Sequence, residues 1–157
     1  MYMNANLVHM QINECMTPQP LTIAPYASLA EAMEIMQRNK IRRLPVMDED
    51  DLIGIITLND IYHAKPSDVR HCLSRDKIYE ELSKLTVNVV MTDNPITIYQ
   101  ADTVGHAAEI MMEEKIGGLP VVDASKKLLG LITESDIFRL IASEWREENT
   151  FKSALGP

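Results

Sequence analysis

Residues 16–48 read MTPQPLTIAPYASLAEAMEIMQRNKIRRLPVMD, and residues 91–123 read MTDNPITIYQADTVGHAAEIMMEEKIGGLPVVD. The offset is 75. After a one-residue insertion it becomes 76, and LIGIITLNDIY at 52–62 stands against LLGLITESDIF at 128–138. Composition cannot produce this alignment. Self-similarity at a fixed period marks a repeated supersecondary unit. Two copies are too few for a solenoid, so the pattern predicts a pseudo-symmetric pair around one core.

Each copy carries the same pattern of elements. Thr22-Ile23 and Thr97-Ile98, each two residues after a proline, predict short β-branched strands. A helix follows. Ser28 and Glu31 form S-x-x-E, a capping box, ahead of Leu29, Met33 and Met36 at helical spacing, with Ala32 and Ile35 widening the stripe. In the second copy Thr103 caps, and Val104, Ala107, Ala108, Ile110 and Met111 form the stripe. Core packing is the expected role of these Met-rich faces, since methionine fills irregular gaps. Next comes Leu44-Pro45-Val46-Met47 or Leu119-Pro120-Val121-Val122, where the proline predicts an edge or a strand start. After an acidic turn, the apolar runs 52–56 and 128–132 predict a strand buried on both faces. A second helix begins at Thr57 or Thr133. The unit is β-α-β-β-α. Between the copies, Pro66, Ser67 and Asp68 break the helix, and RDKIYEELSKL at 75–85 predicts a short amphipathic helix with Ile78, Leu82 and Leu85 inside. The last helix is expected to continue to about Glu148 and then fray.

Composition narrows the function. At 157 residues, with 46% hydrophobic and 24% charged, the chain is of ordinary globular type and buries roughly 70% of its unfolded surface. A formal charge of −8 argues against general nucleic-acid binding. No apolar run approaches the ~18 residues of a membrane span. The first ten residues hold no Lys, Arg or long apolar block, so a cytoplasmic protein is expected. Cys15 and Cys72 form no C-x-x-C, and His9, His63, His71 and His106 have no ligand spacing, so no metal is expected. No nucleophile elbow, phosphate-cradling glycine loop or repeated His–acid pair is present, and no enzyme activity is expected.

Two motifs repeat with chemical content. The first is T-x-x-D after an apolar strand: Thr57-Leu58-Asn59-Asp60 and Thr133-Glu134-Ser135-Asp136. One reading is a helix cap, with threonine at N-cap and an acid in the first turn. The other is a ligand corner. Both copies use Asp where Glu or Gln suits a reciprocal box better, and both acids follow the carboxyl end of a strand, where α/β folds open clefts. A carboxylate there can accept hydrogen bonds from both hydroxyls of a ribose. Capping and binding can coexist. The second motif is K-I-x-x-L-P-V, whose variable pair is Arg42-Arg43 in one copy and Gly117-Gly118 in the other. Adjacent arginines before a strand are either solvated charges or a grip for phosphate oxygens. The glycine pair admits a flat group close to backbone or makes a tight turn.

These repeats resemble CBS domains, the β-α-β-β-α units named after cystathionine β-synthase. The resemblance covers residues 11–64 and 86–142 and rests on P-x-T-I, the amphipathic helix, I-x-x-L-P-V-x-D and G-x-I-T-x-x-D, in that order, twice. It implies an α+β fold: a first CBS unit at 11–64, a linker with a short helix at 65–86, a second unit with its C-terminal helix at 87–148, and flexible termini at 1–10 and 149–157. It implies a tandem pair, or Bateman module, packed about a pseudo-two-fold axis and commonly dimeric. It further implies two inter-repeat clefts that bind adenosyl ligands: AMP, ADP, ATP or S-adenosylmethionine. Carried over to this chain, one cleft would use Asp136 for ribose with Thr133 and Ser135 beside it, Thr22 and Ile23 by the adenine, and Ile41, Arg42 and Arg43 from the first copy, the arginines near phosphate. The other would use Asp60, Thr57 and Asn59 with Thr97, Ile98, Ile116, Gly117 and Gly118. The layout also resembles the acetoin utilization protein group, AcuB-like.

The function these features predict is non-enzymatic regulation. An adenine nucleotide serves as regulatory ligand, no cofactor is required, a homodimer forms, and an unknown protein target is addressed in trans. The alternative is a dimerisation or scaffolding module with vestigial clefts. The final helix, with Ile137, Phe138, Ile141 and Trp145 at helical spacing, is the expected dimer surface.

Overall fold

The computed structural model describes residues 5–64 and 74–154. His71, Cys72 and the Pro66-Ser67-Asp68 helix break lie outside them. In chain order the elements are α1 (Ala5–Val8), β1 (Thr17–Pro18), α2 (Leu29–Asn39), β2 (Arg43–Asp48), β3 (Asp51–Thr57), α3 (Leu58–His63), α4 (Arg75–Ser83), β4 (Thr92–Asp93), β5 (Ile98–Tyr99), α5 (Val104–Glu114), β6 (Gly118–Val122), β7 (Leu128–Thr133) and α6 (Glu134–Ala154). Single 3-10 turns cover Ile12–Glu14 and Val87–Val89. The fold is α+β, as the repeated pattern of elements predicts.

The chain divides into two compact units, and the division does not follow the repeat boundaries. One unit is contiguous, Pro20–Pro95. The other is split, joining the residues up to Gln19 with those from Ile96 onward. Each has its own buried cluster, where the repeat predicted one shared core. In the contiguous unit the cluster includes Leu29, Met36, Leu44, Ile56 and Leu82. In the split unit it includes Ile12, Ile98, Ala107, Leu119 and Ile132.

The division arises from an exchange of strands. β1, which opens the first repeat, pairs antiparallel with β7 of the second repeat, Thr17 opposite Leu131. β4, which opens the second repeat, pairs with β3 of the first, Thr92 opposite Ile55. The split unit's sheet runs β1-β7-β6-β5, and the contiguous unit's runs β2-β3-β4. β5 joins β6 in parallel, Ile98 opposite Val121. On the contiguous side Ile23 alone makes the matching parallel bridge, to Val46. Residues 11–19, read with the first copy, therefore pack with the second.

Two glycines explain why M-T and G-x-I-T recur together. A Cβ on Gly54 would lie 2.5 Å from the Met91 sulfur and 3.1 Å from the Thr92 carbonyl oxygen. Gly130 stands in the same relation to Met16 and Thr17. Each methionine of one copy crosses the glycine of the other.

Proline sits inside strands without breaking the ladder. The Pro45 carbonyl accepts from the Ile23 amide at 3.1 Å, on the side of β2 away from β3. The proline nitrogen points to that same side, so no β2–β3 bond is lost. Pro120 shows that the position need not be an edge, because β6 lies between β7 and β5.

The helices follow their apolar stripes. Leu29, Ala32, Met33 and Met36 are buried on α2, and Val104, Ala107 and Met111 on α5. Ser28 Oγ accepts from the Glu31 amide at 3.1 Å, the forward half of the predicted box. α2 and α5 both end on a left-handed lysine, Lys40 and Lys115, after which the Ile41 and Ile116 amides turn back to the Met36 and Met111 carbonyls. The linker helix α4 belongs to the contiguous unit, with Leu82 buried and Ile78 and Leu85 packed on the same core. β3 alternates, with Gly54 and Ile56 buried but Ile53 and Ile55 half-buried, so burial on both faces holds less well there than at β7. α6 runs on to Ala154, past the predicted fraying point, and α1 adds a buried Leu7 ahead of the first repeat.

Candidate functional site

Both T-x-x-D segments form the corner where a strand passes into a helix. β3 ends at Thr57 and α3 begins at Leu58; β7 ends at Thr133 and α6 begins at Glu134. Asp60 Oδ2 accepts from the Thr57 amide and the Thr57 hydroxyl, both at 2.7 Å, and the Asp60 amide donates to Thr57 Oγ1 at 3.2 Å. Asp136 Oδ2 accepts from the Thr133 amide at 2.9 Å and its hydroxyl at 2.7 Å, with the return bond at 3.4 Å. Aspartate therefore closes a fully reciprocal box, and its use in place of Glu is no sign of function by itself. What the box does is fix the carboxylate. One oxygen is consumed by the cap and the other is held in a defined place at the strand's end.

The second motif docks onto the first within each unit. The Leu58 amide donates to the Arg42 carbonyl at 2.8 Å, and Arg43 lies opposite Thr57 across β2 and β3. The Glu134 amide donates to the Gly117 carbonyl at 3.2 Å, and Gly118 lies opposite Thr133. The contiguous unit thus brings Arg42 and Arg43 beside Thr57, Asn59 and Asp60. The split unit brings Gly117 and Gly118 beside Thr133, Ser135 and Asp136. Arg42, Asn59 and Ser135 are exposed, and Arg43 is half-buried.

The positions read as adenine contacts are mostly committed to packing. Ile23 and Ile98 are buried in the two clusters. The Ile23 backbone is also occupied, its amide by Pro45 and its carbonyl by the Met47 amide at 2.9 Å. Ile41 and Ile116 are half-buried against the same clusters. Thr22 is exposed and Thr97 half-buried, so they are the accessible members of each pair.

The two acids differ in one respect that repeat matching conceals. Asp136 is 6% exposed, and its Oδ1 accepts from Arg139 Nη1 at 2.9 Å. Three residues after Asp60 stands His63, whose Nδ1 lies 2.8 Å from the Asn59 carbonyl oxygen instead. The signal for Arg139 was an acid–arginine pair at i, i+3. It was missed because only one copy has it.

Cys15 also belongs to this neighbourhood. Its thiol lies 3.5 Å from the Ile12 carbonyl and is pushed up to about 11, first by burial and then by the negative charges of Asp136 and Glu14. Among the described residues no group of three or more His, Cys, Asp or Glu is placed to hold a metal ion, and no helix is long and apolar enough to cross a membrane.

Known proteins share this architecture. The family model described as CBS domain matches residues 12–67 and 87–143. A CBS domain-containing protein of Dictyostelium discoideum is 35% identical over 131 residues, 83% of this chain and 90% of that protein. Other relatives are longer: the chain spans 23% of an inosine-5'-monophosphate dehydrogenase of Korarchaeum cryptofilum, at 34% identity. Among solved structures, the CBS domain pair of protein MJ0100, in complex with 5'-methylthioadenosine and S-adenosyl-L-methionine, is 31% identical. Its TM-score is 0.69, covering 86% of this chain and 98% of that one. CBSX2 in complex with AMP, from a protein of Arabidopsis thaliana, is 26% identical with TM-score 0.69, covering 85% and 96%. A Vibrio cholerae protein assigned to acetoin utilization, AcuB, is 26% identical with TM-score 0.70, covering 90% and 96%.

Proposed function

The chain belongs to the CBS-domain family, and from that premise we propose that it is a non-enzymatic regulatory module that binds an adenosyl ligand and signals to a protein target in trans. The observation that carries this reading is the duplicated strand-end carboxylate, whose cap with its own threonine uses one oxygen and leaves the other outside the cap as an acceptor for a ribose hydroxyl. Relatives crystallised with AMP and with S-adenosyl-L-methionine support the ligand class. In this reading each site is composite. Asp136, Thr133 and Ser135 work with Thr22, Ile41, Arg42 and Arg43; Asp60, Thr57 and Asn59 work with Thr97, Ile116, Gly117 and Gly118. Ligand joins parts of both repeats, and its differential affinity for two arrangements is what a partner would sense. Likeness to the Vibrio cholerae protein supports acetoin utilization as the setting; the compartment of this proposal is the cytoplasm.

Calorimetry with AMP, ATP and S-adenosylmethionine tests the reading. Binding is expected with one strong site per chain, because only one composite site holds the Arg42-Arg43 pair. Asp136→Ala should weaken it at least tenfold, since a charged hydrogen bond contributes roughly 1.5–3 kcal/mol. No binding at millimolar ligand, or unchanged affinity in Asp136→Ala, would overturn it.

A second reading, a dimerisation module with vestigial clefts, has its own observation. Phe138 and Trp145 are each 66% exposed on α6 with Ile141 between them, while Ile137 and Leu140 on the same helix pack inward. We propose that this stripe is the contact of a homodimer, which is compatible with either reading.

A further inference from the structure

We propose that Arg139 is a specificity-determining residue of the Asp136 corner, making that site select an anionic nucleotide over the neutral nucleoside; the proposal rests on the adenosyl-binding reading above. Asp136 is buried, and Thr133 takes its Oδ2 through two bonds. The one oxygen left for a ribose hydroxyl, Oδ1, is already held by Arg139 Nη1 at 2.9 Å. A ribose therefore shares that oxygen with a guanidinium or displaces it. The Arg139 side chain is 74% exposed. A guanidinium has five N–H donors, and this bond is the one the described residues give it. Turned aside, it remains a mobile cation one helical turn from the carboxylate that anchors the sugar. It loses an ion pair to a neutral nucleoside, but exchanges it for another when the ligand carries phosphate. Arg139 thus supplies from the helix side a charge additional to that of the Arg42-Arg43 pair assigned to the same site. At the Asp60 corner the residue in the corresponding place on the helix is His63, which bonds the Asn59 carbonyl instead.

The test is titration of the full chain with adenosine and AMP at fixed ionic strength. Affinity is followed at the amide NMR signals of residues 133–139, so that this corner is read alone. Wild type is expected to prefer AMP. Arg139→Gln should cut that preference by about fivefold, the size of an exposed ion-pair effect. The loss should come from weaker AMP binding with adenosine unchanged or tighter, and Arg139→Lys should keep most of the preference. An AMP-to-adenosine ratio unchanged in Arg139→Gln overturns the proposal while leaving the adenosyl reading standing. Neither ligand moving the corner signals in wild type overturns both.

Discussion

Cys15 shows how one side chain ties a corner to pH. Its thiol sits half-buried under negative charge from Asp136 and Glu14, and its pKa rises from the ordinary 9.0 to about 11. The native state thus holds this proton more tightly than the unfolded chain does. Below pH 9 both states are protonated and the native advantage is intact. Between pH 9 and 11 the unfolded thiol ionises first, so stability falls as pH rises through that window. Urea unfolding at pH 8 and pH 10.5 should show a larger loss for wild type than for Cys15→Ala. Lys and Tyr titrations are common to both proteins and cancel. Equal losses would place the thiol in a less buried setting. The residue scale also shows what motif reading reaches. Thr57, Asp60, Thr133 and Asp136 stand out because they recur. Arg139 does not recur, and Ile23 and Ile98 recur as core residues, which local sequence cannot tell from ligand contacts.

At the scale of elements, the glycine–methionine crossings lock the exchanged strands. Alanine at Gly54 or Gly130 would drive a methyl into Met91 or Met16, and also against the backbone carbonyl of the next threonine. The sulfur can swing away, but the carbonyl cannot without parting the sheet. Either substitution should cost about 1–3 kcal/mol in chemical denaturation, the usual penalty of overpacking. Adding Met91→Ala to Gly54→Ala should recover part of that loss and no more. Full recovery, or no cost from either glycine substitution, would mean that the strands are held elsewhere. Helix periodicity and capping residues made α2 and α5 legible. The exchange was not legible, because M-T stands at the head of its own copy. A strand of two residues carries too little pattern to name its partner.

The whole molecule carries an apolar stripe that its own cores do not use. Phe138, Ile141 and Trp145 follow one another along α6 at helical spacing and are exposed. Aromatic anchors of this kind dominate interfaces when desolvated. Sedimentation at micromolar concentration should give about twice the 17.7 kDa chain mass. Phe138→Ala with Trp145→Ala should shift the protein toward monomer with the helix content unchanged. A wild-type monomer at high concentration, or a dimer indifferent to both changes, would count against the interface. The helical spacing of Ile137, Phe138, Ile141 and Trp145 made a stripe on this helix legible in the sequence. Its membership was not legible: α6 turns Ile137 inward with Leu140 and leaves Phe138, Ile141 and Trp145 uncovered.

The exchanged strands bear on how such a protein can be divided or duplicated. A repeat made alone would own a methionine with no glycine to cross and a glycine with no methionine above it. Two copies of that single repeat could satisfy both by trading strands, each completing the other's sheet, which is domain swapping without a hinge to be strained. The arrangement is closed at two. A third copy would find every crossing filled. Pro20–Pro95, by contrast, is continuous and already contains its borrowed strand, so it is the stretch that can be excised and still retain its sheet.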